Sequence, residues 1–338
     1  MRGDIAQVES SPVTIVGPER PLRIALFGAG RAARFHLDAL DLIGGVEVAG
    51  VCSRSGTTAG ALVTDRPGAL ATSDAGDLID PDRIDAAFVA VSYDQSAPLA
   101  ARLLDAGIAV LLEKPAAPTA AAADALADVA AQTGTLAVVG MNRRYYSLVA
   151  AALGAVRQRG PIRGVVVEGH EPVDQLRRSG ISGDLLRRYF ILDSIHYVDL
   201  LRLAGGDVAE VTSVVGSVRV PEGDHISASV RFTNGAVGSY VAHWNSAAPQ
   251  VLRLYGEEAT AHVRLTKPET GIVELAGDRR IALETDWADQ VAKPGVYLQD
   301  TAFLQAVADG RPPALPASSL RDHVATLRLA EEVLARGR

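Results

Sequence analysis

The chain has 338 residues, a formal net charge of −7, 48% hydrophobic residues and one cysteine. That length suits two domains, and the hydrophobic share excludes a chain disordered throughout. The negative charge argues against non-specific nucleic-acid binding, and the single cysteine, Cys52, excludes an internal disulfide and fits a reducing cytoplasm.

Residues 1–20 are polar and Pro-containing, with no apolar core of signal-peptide type, and they read as a loose N-terminal extension. No stretch is apolar enough to span a bilayer, since the run 120–131 is broken by Asp124 and Asp128. The first structured segment is the most informative. A β-prone run over 23–27 stops at Gly28, turns through Gly30 and enters a helix over 31–43. Gly28 permits the turn, and Gly30 lets the backbone approach a pyrophosphate. Ala33, where a third glycine would stand, keeps helix and strand close, while the free N–H groups of the helix start face the anion. Such a loop is weak evidence by itself. Here it heads a strand–helix alternation, which favours nucleotide binding.

That alternation continues with strands over 46–52, 86–91, 109–112 and 135–139 and helices over 96–105 and 120–132, the last N-capped by Thr119. It predicts a parallel, doubly wound sheet spanning residues 21–150. Cys52, near the end of an apolar run, reads as a buried small side chain rather than a nucleophile. Ser53-Arg54-Ser55 ends the second strand, where an acid would bond the ribose 2′-OH of NAD. Arg and two hydroxyls there suit a 2′-phosphate instead, with Arg31 adding to the same pocket; a polar turn is the plainer reading. Glu113-Lys114-Pro115 follows the strand over 109–112, so Lys114 sits where ligands bind in open α/β sheets. Its ammonium would favour an alkoxide or polarise a carbonyl. The triplet alone is equally compatible with a solvent-exposed lysine.

After residue 153 the rhythm changes. Strand patterns dominate over 162–283, including 226–232, 237–243 and 251–255 and the turn signal Asn234-Gly235, with one helix over 185–203. This predicts an α+β domain over 151–338 with a mainly antiparallel sheet. The last part, 299–336, is helical, broken by Pro312, Pro313 and Pro316. On the helix, Asp193, His196 and Asp199 are three apart and share a face. His196 suits proton exchange in a hydroxyl–carbonyl interconversion, although the helix alone reads somewhat more readily as carrying a structural histidine bonded to the neighbouring carboxylate. Asp199 and Arg202 read as a local ion pair. The Arg pairs at 143–144, 177–178 and 187–188 read as solvated faces or local anion contacts. Metal and nucleophile readings are poor: the seven histidines are scattered and no G-x-S-x-G elbow occurs.

The residues so assembled resemble the glucose–fructose oxidoreductase / inositol dehydrogenase / rhizopine catabolism (Gfo/Idh/MocA) family over nearly the whole chain after Pro21. The marks are Gly28-Ala29-Gly30-Arg31-Ala32-Ala33, Glu113-Lys114-Pro115 and Val139-Gly140-Met141-Asn142-Arg143-Arg144-Tyr145. The stretch Asp193-Ser194-Ile195-His196-Tyr197-Val198-Asp199 and the closing Gly310-Arg311-Pro312-Pro313 also fit. The resemblance implies an N-terminal Rossmann domain and a C-terminal α/β domain with a large open sheet used for homodimer or homotetramer contacts. The C-terminal helices may return to the first domain. It also implies NAD(P)-dependent oxidation or reduction of a sugar, cyclitol or related small molecule, with neither nucleic acid nor membrane as partner.

In that scheme Lys114, His196 and Asp193 are catalytic. Gly28, Gly30, Arg31, Ala32, Ala33, Ser53, Arg54, Ser55, Ser92, Tyr93, Glu113, Lys114 and Arg143 hold the cofactor, NADP(H) ahead of NAD(H), and no metal takes part. Two departures stand out. Many members carry an Asp four residues before the histidine, where this chain has Leu192. The usual Thr-Pro after the strand over 86–91 is replaced by Val91-Ser92-Tyr93-Asp94-Gln95-Ser96. A non-catalytic dinucleotide sensor and an NAD-dependent glycoside hydrolase are the alternatives. Retention of both Lys114 and His196 argues against the sensor.

Overall fold

The computed structural model describes residues 11–17, 20–266 and 270–335. In chain order the first elements are β1 (Leu22–Phe27), α1 (Arg31–Leu40), β2 (Val46–Cys52), α2 (Gly56–Val63), β3 (Leu70–Thr72) and β4 (Ala86–Val89). Then come α3 (Tyr93–Asp105), β5 (Ala109–Glu113), α4 (Ala120–Thr133) and β6 (Ala137–Gly140). They are followed by α5 (Ser147–Arg157), β7 (Gly164–Glu168), α6 (Val173–Arg178), α7 (Gly183–Arg187), a π-helical turn Phe190–Ser194 and α8 (Ile195–Gly205). Six strands come next: β8 (Val208–Gly216), β9 (His225–Phe232), β10 (Val237–His243), β11 (Val251–Tyr255), β12 (Ala259–Arg264) and β13 (Thr270–Leu275). After β14 (Arg279–Glu284), the chain closes with α9 (Trp287–Val291), α10 (Val296–Asp309), β15 (Ser318–Ser319) and α11 (Leu320–Leu334).

Two compact units result. One holds the described residues up to Tyr145 together with Ala288–Val324, and the other holds Tyr146–Trp287 with the described residues from Ala325 on. The first therefore takes back a segment that lies far along the chain. The reason is pairing: β15 adds antiparallel to β6, with Ser318 opposite Val139, and α10 lies against α1. Buried Arg144 fixes the approach to β15 by pairing with Asp322 at 2.5 Å and donating to the Pro316 carbonyl at 3.2 Å, so it is no solvated charge.

The first unit's sheet runs β15-β6-β5-β4-β1-β2-β3, parallel throughout except for β15. Its central strands are short apolar runs; every residue of β4 is buried, as expected where helices cover both faces. The chain order reverses between β1 and β4, which opens a crevice beyond their carboxyl ends. Thr119 caps α4, accepting the Ala122 N–H at 3.2 Å, and Gly134 closes it in the left-handed region. Of the N-terminal extension, residues 1–10 and 18–19 lie outside the described residues. Residues 11–17 are pinned rather than loose: Ile15 is buried and donates to the Gly44 carbonyl, and the Val13 N–H bonds the Tyr297 hydroxyl at 2.8 Å.

In the second unit an eight-stranded sheet runs β14-β13-β12-β11-β7-β10-β9-β8. All its pairings are antiparallel except β7 with β10, where Gly164 faces Val237. β9 and β13 alternate buried and exposed residues, so one face meets the core with α5 and α8 while the other carries polar side chains. Asn234-Gly235 makes the β9–β10 turn, with Gly235 at φ +85°. The single helix expected over 185–203 is instead α7, the π turn and α8. The helical run is interrupted after Arg187 and resumes through the wider turn into α8.

Candidate functional site

At the switch point, the Phe27–Gly30 turn is dictated by sterics. Gly28 has φ +117°, and a Cβ there would lie 2.2 Å from the Ala90 carbonyl oxygen. Gly30 caps α1 with no side-chain bond, and the space where its Cβ would stand is open. Backbone N–H groups at a bare helix start thus face open space, with Ala33 fully buried behind them against the sheet. Above them lies a cleft of about 920 Å³, lined by Gly28, Ala29, Gly30, Ser53, Arg54, Ser55, Ser92 and Arg102 among others. An open Cβ position and unfilled helix N–H groups are what a pyrophosphate needs, so the cleft fits a dinucleotide.

The thirteen residues expected at the cofactor fall into two groups. Gly28, Gly30, Ser53, Arg54, Ser55 and Ser92 line the cleft, whereas Arg31, Ala32, Ala33, Tyr93, Glu113, Lys114 and Arg143 do not. Arg31 is exposed at the start of α1, Tyr93 begins α3, and Arg143 sits half-buried in a short 3-10 turn after β6. The Ser53 hydroxyl is engaged locally, donating to the Ser55 carbonyl at 2.6 Å and meeting the Thr58 hydroxyl at 2.7 Å. Arg54 stays exposed beside it. Burial pushes the Cys52 thiol up, with Asp74 and Asp77 adding, which suits an inert side chain rather than a nucleophile.

The end of β5 carries a polar cluster that the sequence did not reveal. Glu113 Oε1 lies 3.2 Å from His36 Nε2, while His36 Nδ1 lies 2.8 Å from Asp300 Oδ2. His36 and Asp300 are buried, and Glu113 Oε2 accepts the Lys114 backbone N–H at 3.3 Å. Burial alone would push the imidazole down. Asp300 and then Glu113 outweigh it, and His36 titrates at about 10. Burial drives the Asp300 carboxyl up, whereas His36 holds that of Glu113 below its usual range despite burial.

Lys114 belongs to the first unit, and His196 and Asp193 to the second. His196 is buried near the start of α8. Asp193, in the π turn, accepts the Tyr189 hydroxyl at 3.2 Å. Burial, with Asp193 and Glu171 adding, raises the Tyr189 phenol well above its usual range, so it remains a donor. Buried Ser194 donates to buried Glu171 at 2.7 Å, a carboxylate that helical spacing could not connect to the Asp193–His196 segment. Asp193 thus belongs to the π turn and His196 to α8, rather than both to one regular helix. Asp199 and Arg202 converge on Thr326 of α11: Arg202 donates to its oxygen at 2.9 Å, and its hydroxyl donates to Asp199 at 3.0 Å. Among the described residues no cluster of three or more His, Cys, Asp or Glu could hold a metal ion, and no helix is long and apolar enough to cross a membrane.

Residues 22–141 match a family described as an oxidoreductase family with an NAD-binding Rossmann fold, and residues 183–262 match the GFO/IDH/MocA C-terminal domain. The chain is 24% identical over 308 residues to a 4-carboxy-2-hydroxymuconate-6-semialdehyde dehydrogenase of a Sphingobium species, which covers 86% of this chain and 92% of that protein. It is 28% identical to inositol 2-dehydrogenase 2 of Paenarthrobacter aurescens, over 87% of this chain and 90% of the relative. An Agrobacterium radiobacter oxidoreductase solved with NAD+, L-tartaric acid and magnesium has the same fold. Its TM-score is 0.80 at 18% identity, covering 94% of this chain and 97% of that one.

Proposed function

The chain belongs to the GFO/IDH/MocA family of oxidoreductases, and we propose that it transfers hydride between NADP(H), in preference to NAD(H), and a carbinol or carbonyl carbon of a sugar, cyclitol or related polyol. The observation that carries this reading is the glycine-lined cleft at the switch point, in the same unit as Lys114 at the end of β5. When bound, the nicotinamide supplies or accepts the hydride. The Lys114 ammonium stabilises negative charge on the reacting oxygen, and His196 exchanges its proton, since imidazoles as a class titrate near neutral pH. Asp193 orients the imidazole or holds a second hydroxyl.

The preference for NADP(H) rests on Arg54 and Arg102 at a cleft whose β2 end bears no acid. The activities that these relatives' names state, on inositol and on a semialdehyde, support a polyol or carbonyl substrate. The face of the second sheet left uncovered by α5 and α8 is the surface we assign to homo-oligomer contacts. Two experiments test the reading: calorimetric titration with NADPH and NADH, then a nicotinamide-absorbance screen over cyclitols, aldoses and their keto forms. Absence of cofactor binding would overturn it.

A further inference from the structure

We propose that His36 is a positioning residue for Lys114, acting as an imidazolium clamped between Asp300 and Glu113 that fixes the carboxylate to which the Lys114 backbone is tied. This deepens the reading above and rests on Lys114 as its catalytic lysine.

The atoms form one continuous chain inside the first unit. Asp300, on α10, accepts from His36 Nδ1 at 2.8 Å and from the Gln299 amide at 3.2 Å. His36 Nε2 meets one oxygen of Glu113 at 3.2 Å, and the other oxygen accepts the Lys114 N–H at 3.3 Å. A neutral imidazole has one N–H, so it could serve only one of the two carboxylates. With both carboxyls ionised, bonds on both ring nitrogens need the doubly protonated form. His36 is also locked sterically: its ring lies 4.9 Å from that of Phe88, which packs edge-on against Phe303. A half-buried carboxylate hydrogen-bonded to a fixed imidazole is held in one orientation, so the residue after it leaves β5 in one direction. The charged and titratable groups around the cluster are Asp300 from α10, Lys114 after β5, Lys293 before α10 and the neutral Tyr145 after β6, whose phenol is raised by burial with Asp300 adding.

The first readout needs no substrate. With 15N-labelled histidine in the full chain, a doubly protonated imidazole signal from His36 is expected at about pH 8, where an ordinary histidine is neutral. Its signal should vanish in H36Q. A neutral His36 at that pH would overturn the proposal.

The second readout uses the substrate that the absorbance screen identifies. H36Q should lower kcat about tenfold, the low end for a displaced catalytic group, and leave NADPH affinity within about twofold. Without its cation Glu113 protonates more readily, so the acid limb of kcat/KM should move to higher pH. In H36Q/E113Q no carboxyl remains at position 113, and the limb should return to its original place. A merely structural histidine would lower thermal stability and leave the limb where it was in every variant, which would overturn the role. Should H36Q not fold, E113Q, which keeps shape and an acceptor oxygen, should show the same loss in kcat at unchanged cofactor affinity. Wild-type protein that transfers no hydride at all would remove the functional reading itself. Active wild type with an unaltered H36Q pH profile would remove only His36.

Discussion

Gly28 sits so close to Ala90 that a single added carbon would fall 2.2 Å from the Ala90 carbonyl oxygen. Gly28→Ala therefore forces strands β1 and β4 apart at their carboxyl ends and strains a backbone at φ +117°. Overpacking of this kind costs about 1–3 kcal/mol, and the strained φ adds to it. Gly30→Ala meets open space and an ordinary φ of −81°, so stability should hold. Its Cβ would enter the place where the proposed pyrophosphate approaches, and NADPH affinity should still fall. Thermal unfolding beside calorimetric titration separates the two variants.

Arg54 is exposed at the cleft, next to a Ser53 hydroxyl already bonded to Ser55 and Thr58. The guanidinium is therefore the main available donor from that turn for a 2′-phosphate. Arg54→Ala should cost roughly 1.5–3 kcal/mol of NADPH binding, about ten- to a hundredfold in Kd, while NADH changes little. Equal Kd values for the two cofactors in the unmutated protein would defeat this assignment.

How far the sequence reaches is clear from particular residues. Strands β2, β10 and β11 fall on the bounds that the apolar runs predict, because turn residues stop each run, although β10 alternates buried and exposed positions and β2 is buried only at its carboxyl end. α2 and β3 escape notice: Gly56–Val63 has weak patterning, and Leu70–Thr72 is too short for periodicity to register. β15 takes its place by pairing with a strand some 180 residues earlier, which no local pattern encodes. At the site, the glycine loop and Lys114 are local signals and were visible. The His36 cluster joins residues 77 and 264 apart in the chain, and Glu171 meets Ser194 across 23. One clue to His36 was available, since it lies on the same face of α1 as buried Ala33, Leu37 and Leu40.

Asp85 gives the fold a defined acid sensitivity. Burial favours its neutral form, yet Arg20 and Arg23 outweigh that and hold the carboxyl well below its ordinary range. It accepts both Arg20 nitrogens, at 2.7 and 2.8 Å, and the Arg23 backbone N–H at 2.7 Å. A depressed carboxyl contributes stability that is fully present above its unfolded pKa, about 3.9, and is lost as pH falls through the folded value. Asp85→Asn should cost about 1–2 kcal/mol at neutral pH, discounted because Arg20 faces solvent. The difference from wild type should shrink below about pH 4 in denaturant titrations. A constant difference across that range would refute the assignment.

Thr326 ties α11 to α8 by accepting from Arg202 and donating to Asp199, both buried. Thr326→Val keeps the volume but removes one buried hydrogen bond from each partner, and should lower stability by about 1–2 kcal/mol with cofactor affinity unchanged. Chemical denaturation of the variant checks this.

The proposed chemistry is tested most directly by following the hydride itself. NADPH deuterated at the transferring carbon is incubated with a panel of keto-cyclitols and keto-sugars, and products are read by mass spectrometry. Wild-type protein should place one deuterium on the new carbinol carbon. Lys114→Met and His196→Ala should bind NADPH normally and transfer it about 10²–10⁴-fold more slowly. Full transfer by Lys114→Met, or cleavage of a glycoside with the deuterium left on the cofactor, would contradict the account.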